Sequence, residues 1–166
     1  MLRMSKLADY GTVVMTSLAR APDRIHSAVN VADQTGLAPP TVSKILKTLA
    51  REGLLVSARG AKGGYMLARP PREISLAEVI GALEGPIGMT ECGSAPGLCL
   101  QESGCSIRTN WQRINRMILQ ALEHITLEQM AHPIGQAVEI SLTKAPASRA
   151  RVPEAGVNRP SAGAQR

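Results

Sequence analysis

Three cysteines, Cys92, Cys99 and Cys105, fall within fourteen residues in the spacing Cys-x6-Cys-x5-Cys, and the chain has no others. Thiolates are favoured ligands of iron in clusters, and a glycine-containing loop can wrap several of them around one inorganic core. An odd number of clustered thiols argues against a disulfide framework. The spacing also lacks the paired Cys-x2-Cys of zinc ribbons, which weakens a structural zinc reading. Reversible thiol oxidation without any cofactor stays open beside these. Three sulfurs leave one coordination position short. An iron held that way is easier for oxygen, nitric oxide or iron loss to attack.

A second chemistry is written in charge. Residues 1–72 carry eleven Lys/Arg against four Asp/Glu, whereas residues 73–130 carry three against seven. A basic amino-terminal half beside an acidic middle points to a polyanion meeting one part of the chain. Within the basic half, Pro40, Thr41, Ser43, Lys44 and Lys47 share the polar side of one amphipathic segment. Arg59 and Lys62 flank Gly60 in a glycine-rich stretch. Lysines on a helix can be an ordinary solvated face, and glycines can simply permit a tight turn. Their order along the chain decides between these readings.

That order follows from periodicity. Leu7, Tyr10, Val14, Leu18 and Ala21 recur at helical spacing until Pro22. A second helix is predicted over Ala28–Thr35, stopped by Gly36. A third starts near Pro39-Pro40, carries Val42, Ile45, Leu46 and Leu49 on one face, and ends at Gly53. Two extended runs, Leu54–Ser57 and Gly64–Leu67, enclose the tip Ala58–Gly63. Helix, turn, helix and basic hairpin in this sequence make a winged helix-turn-helix. Its third helix fits a major groove and its wing reaches the adjacent backbone or minor groove.

Ser75 and Glu78 form a capping-box pattern for a fourth helix to about Leu83. Glycine and proline break the stretch from Gly85 to Cys105, which is read as loop. Ile107, Trp111, Ile114, Ile118, Ala121 and Ile125 then make a long apolar stripe, and Thr126 to Gln129 is a second capping-box pattern. The expected organisation is a DNA-binding domain over 1–84, a cysteine loop over 85–106, and a dimerisation helix with a short final helix over 107–132. Residues 133–166, rich in Ala, Pro, Arg, Ser and Gly, are expected to be a disordered tail. The fold class is mainly α with a small β wing. With no Phe, one Trp and two Tyr, the core must be aliphatic and Met-rich.

Arg3-Met4-Ser5-Lys6, Ile45 to Leu49, Arg59 to Tyr65, and Ile74 to Ile80 followed by Glu84-Gly85 and the cysteine loop resemble the IscR/NsrR-type regulators of the Rrf family. The likeness runs from residue 1 to about 132. Leu7 to Met15 look most like the branch that regulates the SUF iron–sulfur assembly operon. The resemblance implies a homodimer, double-stranded DNA as partner, and an iron–sulfur cluster that switches a repressor, with 2Fe–2S favoured over 4Fe–4S. Some relatives place a histidine two residues after the third cysteine, where this chain has Ile107. Others use an acidic residue from the first helix of the second subunit, and Asp9 occupies the matching place. Helix capping or a surface ion pair is the plain alternative for Asp9.

An enzyme is not expected, nor a small-molecule substrate. The three histidines lie away from the cysteines in sequence, and no glycine-rich phosphate cradle follows a strand. The first residues lack the apolar stretch of a signal peptide, and no run approaches the ~20 apolar residues that cross a bilayer. A cytoplasmic protein is expected.

Overall fold

The computed structural model describes residues 4–60 and 63–132. Helix α1 (Lys6–Ala19) opens at Ser5, whose hydroxyl oxygen accepts from the Leu7 and Ala8 amides. Ser27 caps α2 (Ala28–Thr35) by accepting from the Asn30 amide, and Gly36 closes that helix at φ 69°, where a Cβ would be strained. Helix α3 (Pro39–Arg51) has no side-chain cap and uses proline in its first turn, where a missing N–H leaves nothing unpaired. The wing consists of β1 (Leu55–Ala58) and β2 (Gly64–Leu67), antiparallel with Leu55 opposite Leu67 and Ala58 opposite Gly64. His26 adds a one-residue edge to it: its amide donates to the Tyr65 carbonyl at 2.8 Å, and the Tyr65 amide donates back at 2.9 Å.

Helix α1 lies at the centre. Val14, Met15 and Leu18 pack with Val31 from α2, Val42, Ile45, Leu46 and Leu49 from α3, and Leu55 and Leu67 from the wing. The largest fully buried side chains are all Met, Leu, Ile or Val. Each contributes about 1.5–3 kcal/mol on burial, so an aliphatic core suffices without aromatic rings. Helix α4 (Leu76–Glu84) closes the far side of α1 and carries the expected capping box, with Ser75 accepting from the Glu78 amide and Glu78 from that of Ser75.

The remaining elements are α5 (Glu91–Ser94), α6 (Arg108–His124) and α7 (Leu127–Ala131). Four details differ from the sequence reading. Strand β1 begins one residue later than expected. A short 3-10 turn covers Pro71–Glu73, and α5 forms inside the stretch read as loop. Ile107 and Ile125 flank α6 instead of lying within it. Ile125 is extended because its carbonyl accepts from the Leu76 amide at 2.8 Å, while the Leu127 amide donates to Ile74 at 2.8 Å. This bridge draws the chain out of the helix and returns α7 to the amino-terminal core, where Leu127 is 1% exposed.

The long helix is covered poorly by its own chain. Its one buried residue is Asn115, and Ile107, Ile114 and Met117 are 52%, 41% and 43% exposed. Among its apolar side chains, Leu122 near the carboxyl end joins a core cluster, beside Leu76, Ile80 and the following Ile125. No helix among the described residues is long and apolar enough to cross a membrane.

The α4 cap gives a pH signature. Partial burial works to raise the Glu78 carboxyl, but the Ser75 amide and the Arg69 guanidinium outweigh it and hold it below the ordinary value of 4.5. A depressed folded value means the stabilisation is present above the unfolded value and lost as pH falls through the folded one. Glu78→Gln should therefore melt below wild type at pH 7, with the gap shrinking as pH drops below about 4.5. Thermal unfolding by circular dichroism across that range measures it.

Candidate nucleic-acid interface and cysteine loop

Burying Val42, Ile45, Leu46 and Leu49 turns the opposite side of α3 outward. Pro40, Lys44 and Lys47 are exposed there, with Thr41 and Ser43 half-buried beside them. Neither lysine has an ion-pair partner among the described residues, so both charges are free for an external anion. Arg59 is exposed at the end of β1, while Lys62 lies outside the described residues. The bridge of His26 to Tyr65 ties the wing to the residues leading into α2, fixing the hairpin relative to the helix-turn-helix. A helix with free cations and a short hairpin carrying another suits one groove and its neighbouring backbone.

The cysteine loop is attached to α6 at two places. Asn115, 7% exposed, donates through its Nδ2 to the carbonyls of Ile87 (3.2 Å) and Gly93 (2.9 Å) and accepts at Oδ1 from the Met89 amide (3.1 Å). This holds the segment that contains Cys92. Farther along, the Glu102 carboxylate accepts from the Gly97 amide at 2.5 Å and pairs with Arg108 Nη2 at 2.5 Å. The Cys99 carbonyl accepts from the Glu102 amide and the Cys105 carbonyl from the Arg108 amide, so this second tie sits between the other two cysteines.

Cys92, Cys99 and Cys105 are half-buried free thiols, and Cys92 Sγ lies 3.3 Å from Thr90 Oγ1. By donor type the set fits an iron–sulfur group. By position it is not assembled: among the described residues, no three His, Cys, Asp or Glu side chains gather where one ion could be held. Asp9 is exposed on α1. With Thr12, Val13, Thr16 and Arg20 it lines a groove of about 1050 Å³ that reaches His26 and Met130. The structure thus brings together the α3 residues, with Arg59 on the adjacent hairpin, but does not bring Asp9 or the three sulfurs into one site.

Asn115, Glu102 and Arg108 were not picked out from sequence. Asn115 had a visible signal, being a polar amide four residues after Trp111 and three before Ile118, on the apolar stripe itself. The Glu102–Arg108 tie had none, because pairing across a loop of glycines has no period.

Residues 4–133 match the Rrf2 family, described as iron-dependent transcriptional regulators. The chain belongs to the Rrf2 family. Among curated relatives, the HTH-type transcriptional regulator CymR of Bacillus subtilis is 29% identical over 131 residues, covering 78% of this chain and 90% of that one. An HTH-type transcriptional regulator of Mycobacterium tuberculosis is 30% identical over 131 residues, covering 78% and 81%. Two solved structures share the fold. CymR of B. subtilis, the global cysteine regulator, superposes with a TM-score of 0.65 at 31% identity, covering 79% of this chain and 97% of that one. The IscR structure from T. potens gives 0.63 at 29%, covering 82% and 93%. This Rrf2 member is a winged-helix, DNA-binding transcriptional regulator and not an enzyme.

Replacing Lys44 by alanine should weaken binding to an operator selected from random duplexes by about 1–3 kcal/mol, with preference relaxed at one base position. Titrations on single-base operator variants check this. An equal loss on every sequence would make Lys44 a phosphate contact, and its salt slope would fall by about one.

Proposed function

We propose that this regulator is a homodimeric repressor whose DNA affinity is set by an iron–sulfur cluster on the cysteine loop, with iron–sulfur assembly genes among its targets. The observation that carries the reading is the placement of all three cysteines on one loop fastened to α6, a long helix whose apolar positions its own chain leaves half-buried or exposed. The iron-dependent description of the Rrf2 family and the likeness to IscR support the metal.

Cys92, Cys99 and Cys105 would hold the cluster, with Asp9 of the partner subunit as fourth ligand. Iron held by three thiolates and one weaker donor supplies a centre that oxygen, nitric oxide or iron scarcity can dismantle. The chain's own residues do the rest. Trp111, Ile114, Ile118 and Ala121 pair with their copies in the second subunit and fix the separation of two α3 helices. Half-sites about one DNA turn apart are then read together. Gathering the sulfurs requires the loop to leave its present arrangement, which shifts the population of the DNA-competent spacing only as far as the two spacings differ in affinity for the metal.

A cofactor-free thiol switch is the second reading. It is favoured by the ungathered sulfurs and by the Staphylococcus aureus CymR structure, solved in an oxidized form and superposing at a TM-score of 0.61 with 28% identity.

Anaerobically isolated wild type should be coloured and contain iron and sulfide in stoichiometric amounts. Cys99→Ala should lose both while remaining a folded dimer by sedimentation. Iron retained at wild-type level in Cys99→Ala would contradict the ligand set. A colourless wild type with full operator affinity would favour the thiol switch.

A further inference from the structure

We propose that Asn115 is the joint that carries the state of the cysteine loop into α6. The inference rests on the reading above, that metal on the loop controls DNA binding. Asn115 is the buried residue of a helix otherwise half or fully exposed among its apolar positions. Its amide uses both N–H groups and its oxygen on three backbone groups of residues 87–93. Backbone partners cannot rotate away as side chains can, so these bonds fix where the loop segment lies on the helix. Gly93 permits the approach: a Cβ there would stand 3.2 Å from Asn115 Cγ and 3.3 Å from Thr90 Oγ1.

Cys92 sits inside this clamp, next to Gly93 and within α5. Cys99 and Cys105 belong to the other tie, whose side-chain part is the Glu102 carboxylate with its backbone bonds beside it, and Arg108 Nε there is buried with no hydrogen-bond partner among the described residues. The two attachments are unequal. When the sulfurs converge, the segment around Cys99 is the one that travels, and Cys92 stays on α6. The pull of closing the loop then passes through Asn115 to the dimer-forming helix instead of being absorbed by loop motion.

Two variants test this: Asn115→Ala removes the clamp from the helix side, and Gly93→Ala pries it from the loop side with Asn115 intact. The first readout is the N-ethylmaleimide labelling rate at each cysteine of metal-free protein, resolved by peptide mass. The second is the ratio of operator affinities between the iron-containing and chelated forms. Cys92 labelling should accelerate about tenfold relative to Cys99, and the affinity ratio should fall to near one while iron per chain stays at the wild-type level. Unchanged Cys92 labelling, a retained ratio, or loss of iron from both variants would overturn the proposal. The last outcome would make Asn115 part of the ligand-holding shell. If wild type itself shows a ratio of one, the regulatory reading fails and the coupling role with it, whereas the labelling still decides whether Asn115 holds Cys92.

Discussion

Apolar surface on a helix has to be covered, and α6 is not covered by its own chain. Its stripe of Trp111, Ile114, Ile118 and Ala121 meets too little of the core to be buried, while Leu122 near the carboxyl end joins a core cluster. Most of what keeps a helix folded in a protein is packing of its apolar face. The stripe therefore asks for a second copy, and the cysteine loop, fastened to the same helix, inherits whatever geometry that pairing imposes. In the proposed dimer, sensor and subunit contact share one element. A change in the loop cannot be local if the helix beneath it is also the interface.

The DNA-reading half is built on the opposite principle. Helix α1 is surrounded by α2, α3, α4, α7 and β2, and Val14, Met15 and Leu18 on its inner face are fully buried. Close packing gives such a core low compressibility. Rigid cores transmit displacement without absorbing it, so in the proposed dimer a small shift of α6 relative to its copy would change the separation of two α3 helices. The return of α7 to this core, stapled by the Ile125–Leu76 and Leu127–Ile74 hydrogen bonds, anchors the far end of α6 to the same body.

Local signals in the sequence reached far into this structure. Gly36 ends α2, the prolines open α3, and Ser75 with Glu78 start α4, because caps and turns act through adjacent backbone groups. The apolar face of α3 followed from period alone. That of α1 followed in part: Val14 and Leu18 are buried, but α1 ends at Ala19, before Ala21, and the buried Ala8 and Met15 lie outside that period. Tertiary pairing escaped this kind of reading. The extended Ile125, which looked like the last step of a helical stripe, is set by a strand-like bridge to a segment fifty residues earlier. The short α5 is held by Asn115, whose partners are backbone groups that any sequence would offer. The three cysteines were visible as a set, but the Glu102–Arg108 tie among them has no sequence signature. Asp9 is a position on α1 whose proposed role needs a second subunit.

In the proposed reading, metal on the loop changes how the paired α3 helices fit DNA. The direct measurement is operator affinity by fluorescence anisotropy on one oxygen-free preparation, before and after iron chelation, with dimer concentration and ionic strength held fixed. A change of about tenfold or more in dissociation constant is expected. Superimposable binding curves from the two forms, with iron loss verified, would contradict it.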